Sequence, residues 1–565
     1  MNREREYSLA VLAFCGQLRK SFALTNKEEL GIVYKGTYEY KEKGRKENRM
    51  KLLRLWKKVL HVLLHRAVIV GVLLLLQIIW MIVNVTELAA YSPIVYNGLN
   101  ILSLLAVLAV VNARDNPSYK LAWVIVILVF PLFGGAMYLL FSGWLPSKKL
   151  RDKLTKAENQ IRPFIKQDET VFEKLKELDP AAAGQAQYIR DYAKFPVWND
   201  STARYFKCGE ENFPVLLEEL RKAEHFIFLE YFIVEEGEMW NSILDILKEK
   251  AAAGVDVRML YDDLGSVFVL PYKYYRTLES YGIKCEAFNK FVPVFSLVMN
   301  NRDHRKILVI DGHTAFTGGI NLADEYINKK EKFGYWKDTG IMVRGEAAVN
   351  LTAMFLTVWN AVRPTDTEFS PLLPHAYHSG IFKGDGYIQP YGDTPLDKET
   401  VGENVYLNMI SAAREYLYIF TPYLIVDNEM MTALCLAAKR GVDVRIVTPG
   451  VPDKKLVYWL TQSYYRQLID NGVKIFKYEP GFIHAKVFVC DDVYATVGTI
   501  NLDYRSLYLH FECGVFLSHC SEIEIIKQDA IETMEQSNLI TKEQARRRLP
   551  VRLVQAILRV FAPLL

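Results

Sequence analysis

The chain has 565 residues, 51% of them hydrophobic, and a formal net charge of +4, so it has room for several domains and gives no bulk-charge argument for a nucleic-acid partner. Mean hydropathy is slightly positive, which points to a membrane-attached rather than a purely soluble protein. The seven cysteines (Cys15, Cys208, Cys285, Cys435, Cys490, Cys513 and Cys520) show no CxxC or CxxH spacing, so neither a zinc site nor a disulfide framework is indicated.

Residues 1–66 read as a polar and basic tail, with a short helix expected near 9–18 and a basic, Leu- and Val-containing interfacial lead-in over 51–66. Region 67–145 holds three apolar stretches expected to span a bilayer. The first is 67–85. The second, 94–111, carries Asn97, Gly98 and Asn100. The third, 121–141, contains Pro131 and Gly134-Gly135, which membrane helices tolerate. No cleavable signal pattern precedes them. The first loop between spans lacks Lys and Arg, whereas Lys51, Arg54, Lys57, Lys58 and Arg66 precede the first span, which puts the N-terminus inside. Lys148, Lys149, Arg151, Lys153 and Lys156 follow the third span and argue the other way, so a multi-pass cell-membrane protein is expected with the side of its main body open.

Residues 146–189 form a charged helical linker, and a duplicated body follows. His225–Tyr231 corresponds to Tyr416–Tyr423, Gly254–Arg258 to Gly441–Arg445, and the Gly282-Ile283-Lys284 run to Gly472-Val473-Lys474. Strands alternating with helices predict two α/β halves with largely parallel cores. They cover 190–370 and 371–540, joined near the Pro- and Gly-containing stretch 364–384 and packed by a pseudo-twofold. The apolar stretch 291–298, with Pro293, is either core or a loop dipping into lipid. The segment 541–565 is basic and amphipathic, fit to lie on an anionic membrane or to pack as a terminal helix.

Each half carries one copy of a longer pattern. His304 is followed by Lys306 after two residues, Asp311 after seven, Gly318 after fourteen and Asn321 after seventeen. His484, Lys486, Asp491, Gly498 and Asn501 repeat those intervals. A single His-x-Lys with an Asp five residues on would arise by accident in a chain this long only about a few per cent of the time, and two copies agreeing at five positions mark a duplication that carries chemistry. Lys306–Ile310 is a short β-branched run, as is the stretch from Lys486 to Cys490, so each reads as a buried strand. Residues two apart share a strand face, which points each His and Lys the same way. The turn at Asp311-Gly312, or at Asp491-Asp492, closes a hairpin, and the odd offset takes the Asp off the His/Lys face. Gly would let the backbone approach a ligand, and Asn adds an amide donor. Each copy offers an imidazole, an ammonium and an amide to one small anion.

These paired His-x-Lys-x4-Asp motifs resemble the signature of the phospholipase D superfamily. The wording of Arg302-Asp303-His304-Arg305-Lys306, Thr317-Gly318-Gly319-Ile320-Asn321, Asn501-Leu502-Asp503-Tyr504-Arg505-Ser506 and Asn116-Pro117-Ser118-Tyr119-Lys120 resembles bacterial cardiolipin synthase over about residues 92–565. Two positions depart from the family's usual residues. Asp303 stands where Asn is more frequent, adding charge beside His304, and Thr499 replaces the more usual Ser. The resemblance implies a phosphatidyltransferase that joins two phosphatidylglycerol molecules into cardiolipin and glycerol through a phosphohistidine, with no cofactor, metal, nucleotide or nucleic acid. It implies His304 as nucleophile and His484 as acid and base, with symmetry leaving the reverse open. Lys306, Lys486, Asn321 and Asn501 would hold phosphoryl oxygens, Asp338 and Glu512 would orient the imidazoles, and Asp311 and Asp491 would support the hairpins. The rival readings are a hydrolytic phospholipase D, a nuclease of the same superfamily, and a membrane scaffold that has kept the fold without the chemistry.

Overall fold

The computed structural model describes residues 75, 79, 93–141, 147–290, 301–378, 380, 382–397 and 399–564. The tail with its short helix, the interfacial lead-in, most of the first expected span and the apolar stretch 291–298 lie outside these residues.

Three helices come first: α1 (Pro93–Asn112), α2 (Pro117–Val129) and α3 (Pro131–Phe141). The expectation of membrane spans is not met by them: among the described residues no helix is long and apolar enough to cross a membrane. In α1 the polar residues Asn97 and Asn100 leave an apolar run of only about 11 residues, or about 16 Å of helix, against a hydrocarbon core of about 30 Å. The stretch 121–141 is not one helix but two. Pro131 has no N–H to donate and disfavours helical geometry at the residue before it, and Phe130 accordingly leaves the helix at φ −127° and ψ 74°. The chain then folds back on itself, and Gly134 makes the close approach possible, since a Cβ there would lie 2.5 Å from the Val126 carbonyl oxygen.

The stretch expected as a linker forms α4 (Ser147–Ile161), α5 (Glu169–Leu178) and α6 (Pro180–Tyr188). Its charged residues face outward, while Leu154 and Ile161 pack into one core cluster and Val171, Phe172, Leu175 and Ala186 into another.

Two sheets form the body. The first half contributes β1 (Ser201–Phe206), α7 (Gly209–Lys222), β2 (Phe226–Tyr231), α8 (Glu238–Ala252), β3 (Asp256–Asp262), α9 (Tyr274–Ser280), β4 (Lys284–Phe288), β5 (Lys306–Ile310), β6 (Thr314–Gly318), β7 (Tyr335–Lys337), β8 (Gly340–Gly345) and α10 (Ala348–Val362). The second contributes β9 (Tyr387–Asp393), α11 (Val401–Ala412), β10 (Tyr416–Phe420), α12 (Asn428–Lys439), β11 (Asp443–Pro449), α13 (Lys455–Asp470), β12 (Lys474–Tyr478), β13 (Gly481–Ile483), β14 (Val487–Cys490), β15 (Tyr494–Gly498), α14 (Tyr504–Tyr508), β16 (Glu512–Ser518), α15 (Glu522–Glu535) and β17 (Ser537–Leu539). The first sheet runs β1-β8-β6-β5-β2-β3-β4. The second repeats that order as β9-β16-β15-β14-β10-β11-β12, with β17 added at its edge. The order establishes the duplicated α/β architecture independently of the motifs.

Each sheet is mixed and not largely parallel as expected: only three strands toward one side are parallel and joined through helices, and the hairpin is laid antiparallel beside the first of them because a tight turn reverses the chain. β5 pairs with β2 so that Lys306 faces Tyr231, and β14 pairs with β10 so that Val487 faces Phe420. Each His-x-Lys therefore sits at the C-terminal ends of the parallel strands, where ligands bind in open α/β sheets. A final helix, α16 (Leu549–Phe561), lies along α13.

Candidate active site

Both histidines stand just before their strands in extended chain, and each is pinned by the opposite half. The His304 N–H donates to the Phe511 carbonyl at 2.9 Å, and Phe511 returns its own N–H to Arg302 at 2.8 Å. On the other side β13 runs parallel to β7, and the His484 N–H donates to the Lys337 carbonyl at 2.7 Å. The residue after each of these anchors is an acid. Glu512 accepts the Nδ1–H of His304 at 2.9 and 3.0 Å, and Asp338 accepts that of His484 at 2.6 Å. Each half thus lends the other the carboxylate that orients its imidazole, leaving Nε2 of both rings as the free nitrogen. Both acids are fully buried.

The carboxylates are supported differently. The Thr499 hydroxyl donates to Glu512, whereas Asp338 accepts the Thr339 N–H at 2.9 Å and packs against Gly319, where any Cβ would collide with it. The motif glycines thus serve a purpose other than the expected approach to a ligand. Gly318 has φ 134°, and a Cβ there would meet Thr339 main chain; at Gly498 it would meet Cys513 and Gly514. They allow neighbouring strands to close on the hairpin.

Lys306 and Lys486 are 1% exposed, and each donates to the carbonyl of its own motif His. Burial pushes Lys306 down to about 7 and Lys486 down to about 8, with Glu512 and Asp338 pulling both the other way. Burial likewise lowers His304 to about 3 against the pull of Glu512, and lowers His484 to about 4, helped by Lys486 and opposed by Asp338. Burial pushes the Glu512 carboxyl up, but the facing His304 outweighs it and holds the group well below the usual carboxylate range. Two buried lysines and two imidazoles whose Nε2 is unbonded, each ring backed by a buried carboxylate, are a set that can bind a phosphoryl anion and can supply a nucleophile and a proton carrier.

Asn321 accepts the Ile233 N–H at 3.0 Å and donates to Tyr326 at 2.7 Å, and the Tyr326 ring meets His484 edge-on. Asn501 is buried with its carbonyl oxygen unpartnered. Asp311 and Asp491 stand apart from all of these, at the far ends of β5 and β14. Asp311 accepts the N–H groups of Glu224, His225 and Phe226, each at 2.8 Å, and Asp491 those of Arg414, Glu415 and Tyr416 at 2.7–2.9 Å. Both adopt positive φ, 49° and 55°.

Several contacts around the site escaped the sequence reading. The Asp303 carboxylate is matched by Arg305 at 3.1 Å, and Arg305 also pairs with buried Glu230 at 2.5 Å, so the extra charge beside His304 is compensated. His510 lies 5.6 Å from His304, ring to ring, with its Nδ1 3.7 Å from Glu512 and neither ring nitrogen hydrogen-bonded. Among the described residues His304, His510 and Glu512 are the one group of donors close enough to reach a single metal ion, but Glu512 is already engaged by His304 and Thr499. His510 was within sight as the second residue before Glu512, yet no spacing rule tied it to His304.

The family model described as "Cardiolipin synthase, PLD-like domain" matches residues 216–359 and 406–534, and one described as "Phospholipase_D-nuclease N-terminal" matches 101–143. A cardiolipin synthase of a Geobacillus species is 36% identical over 482 residues, covering 83% of this chain and 94% of that protein. The chain belongs to the bacterial cardiolipin synthases of the phospholipase D superfamily. The cardiolipin synthase of Geobacillus kaustophilus is 35% identical over 471 residues, 81% of this chain and 91% of its own length. The fold is shared with phosphatidylserine synthase of Haemophilus influenzae at a TM-score of 0.50 and 15% identity, covering 68% of this chain and 98% of that one. As a family member the chain is a phosphatidyltransferase acting on phospholipid, and the crossed His–carboxylate pairs are the feature of its site that needs both halves.

Proposed function

We propose that this site transfers a phosphatidyl group from one phosphatidylglycerol to the hydroxyl of another, giving cardiolipin and glycerol. The crossed pairs carry the reading, because each supplies an imidazole whose Nδ1–H is committed to a carboxylate and whose Nε2 is free. His304 Nε2 attacks phosphorus as the neutral ring; the new N–P bond forms as the P–O bond to glycerol breaks, and His484, which enters this step as the imidazolium with its Nδ1–H on Asp338, gives its Nε2 proton to the departing oxygen and is left neutral. The acceptor's hydroxyl then returns a proton to His484, its oxygen attacks phosphorus and the N–P bond opens. Lys306 and Lys486, with Asn321 and Asn501 in the pocket wall, bear the phosphoryl oxygens as charge builds in the transition state. Asp338 and Glu512 hold the rings in one tautomer, while Asp311 and Asp491 keep the hairpins in place.

The exposed apolar side chains of α1–α3, among them Leu104, Leu105, Leu121 and Leu128, support a place at the membrane, where lipid acceptor is concentrated and water competes less well for the intermediate. The test uses purified chain in phosphatidylglycerol vesicles without added metal. Cardiolipin with equimolar glycerol, abolished by His484→Ala, is the expected result. Phosphatidic acid in its place would make the protein a hydrolase, and no product would exclude phosphatidylglycerol as donor.

A further inference from the structure

The last helix is mounted inside out. In a surface helix of a globular protein the apolar stripe faces the core and polar residues face water. In α16 the one buried residue is Gln555, whose Nε2 donates to the Trp459 carbonyl at 3.0 Å; beside it Leu558 is half-buried against the core, and Arg559 lies 4.4 Å over the ring of Tyr464. The stripe Leu549, Leu553, Ile557 and Phe561 points outward, with Leu549, Leu553 and Ile557 each about 60% exposed. Its spacing of four is the helical repeat of one face. Arg546, Arg547, Arg548 and Arg552 are exposed beside it, and positions 544–565 contain no acidic residue.

The apolar surface continues beyond the helix. On α13, which carries α16, Leu456 and Trp459 are exposed. α16 also touches α2, whose Leu121, Leu128 and Val129 are exposed as well. The start of α13 belongs to the rim of the catalytic pocket. It follows β11 through Asp453, which accepts the Tyr423 hydroxyl at 2.6 Å, and Tyr423 itself follows β10, the strand beside the Lys486 hairpin.

We propose that α16, together with Leu456 and Trp459, is a docking surface for an anionic phospholipid bilayer that seats the second half's pocket rim at headgroup level. The charge selects the occupant. A second copy of this surface would set four arginines against four, and the chain's own segment 51–66 is basic too, whereas lipid phosphates neutralise the arginines while acyl chains receive the Leu and Ile stripe. Trp459, an amphipathic ring at the edge of the stripe, has the character of a headgroup-level anchor.

The proposal rests on the phosphatidylglycerol reading only in its choice of lipid, and the experiment separates the two. The full chain is labelled with a small fluorophore at Ile557→Cys, and separately at Lys174→Cys on the exposed side of α5, with the unsubstituted chain as labelling background. It is then bound to phosphatidylcholine vesicles containing or lacking phosphatidylglycerol, with quencher groups on the lipid chains. The label at 557 is expected to lose at least about half its emission when anionic lipid is present and the label at 174 to stay bright. Emission at 557 that ignores the quencher overturns docking, and equal quenching without phosphatidylglycerol overturns anionic recognition. In the paired activity assay, Leu553→Gln with Ile557→Gln is expected to reduce turnover of vesicle substrate about tenfold and leave turnover of detergent-dispersed substrate unchanged. Equal loss in both overturns the proposal. A chain that docks but yields phosphatidic acid refutes the transferase reading and leaves the docking surface standing.

Discussion

Glu512 and Asp338 determine which nitrogen of each imidazole carries the proton. An amide in place of either acid can offer its NH2 to Nδ1, which moves the ring proton to Nε2 and removes the nucleophilic lone pair. Glu512→Gln is therefore expected to lower kcat by roughly 10²–10⁴-fold, the scale of comparable changes at orienting acids, with folding intact. Rapid-quench capture of labelled phosphoprotein checks it: the histidine adduct should vanish in Glu512→Gln, and an undiminished adduct would remove Glu512 from this role. The lysines set the pH response. A lysine whose pKa is lowered is charged below that value and neutral above it, so the pocket loses positive charge as pH rises through about 7 at Lys306 and about 8 at Lys486. kcat/KM for phosphatidylglycerol is expected to fall across that window, and a profile flat to well above it would mean that the bound anion does not depend on these ammonium groups.

At the scale of elements, the hairpins were legible because a strand, a turn and a return strand each have a local signature, and the repeat confirmed them twice. The turn aspartates belong to that layer. Asp311 closes three backbone N–H groups, one buried and two part-buried, and Asp311→Ala leaves them without their acceptor, so a loss of about 2–3 kcal/mol in unfolding free energy is expected. Asp491→Ala should cost less, since two of its three partners are exposed. Denaturant midpoints on the two variants, with kcat per folded molecule near that of the parent, would check both halves of this statement. A large loss of kcat with stability unchanged would bring the aspartates into the chemistry after all. The apolar stretch at 121–141 read as one span because hydropathy averages over Pro131, whereas the backbone obeys the single residue that cannot donate. The stretch 146–189, read as a charged helical linker, keeps its charges exposed, while Leu154 and Ile161 on one helix and Val171, Phe172 and Leu175 on the next are buried in the body.

For the whole molecule, the sequence carried the duplication, the two α/β halves and every motif residue that faces the pocket, while the exchange of carboxylates lay beyond it. Glu512 follows His304 by 208 positions, and no periodicity links them. Only the return of the chain at Phe511 and Arg302 brings them together. Thr499 and His510 entered the site by the same route, through pairing of strands that sequence separation hides. Either half expressed alone is accordingly expected to form no phosphohistidine, because each lacks the acid for its own ring. Co-expression of the two halves as separate chains cut in the 364–384 connection should restore the adduct, and an adduct on an isolated half would show that the partner carboxylate is dispensable.

The exchange also bears on how the protein is made. A ribosome that has added His304 must add 208 more residues to reach Glu512 before that imidazole has its acid, about 10–40 s at ordinary elongation rates. On the proposed mechanism, His304 lacks its orienting acid throughout that interval, so truncated or stalled chains are expected to cleave no phospholipid, and competence would arrive only with the second half that completes the transfer.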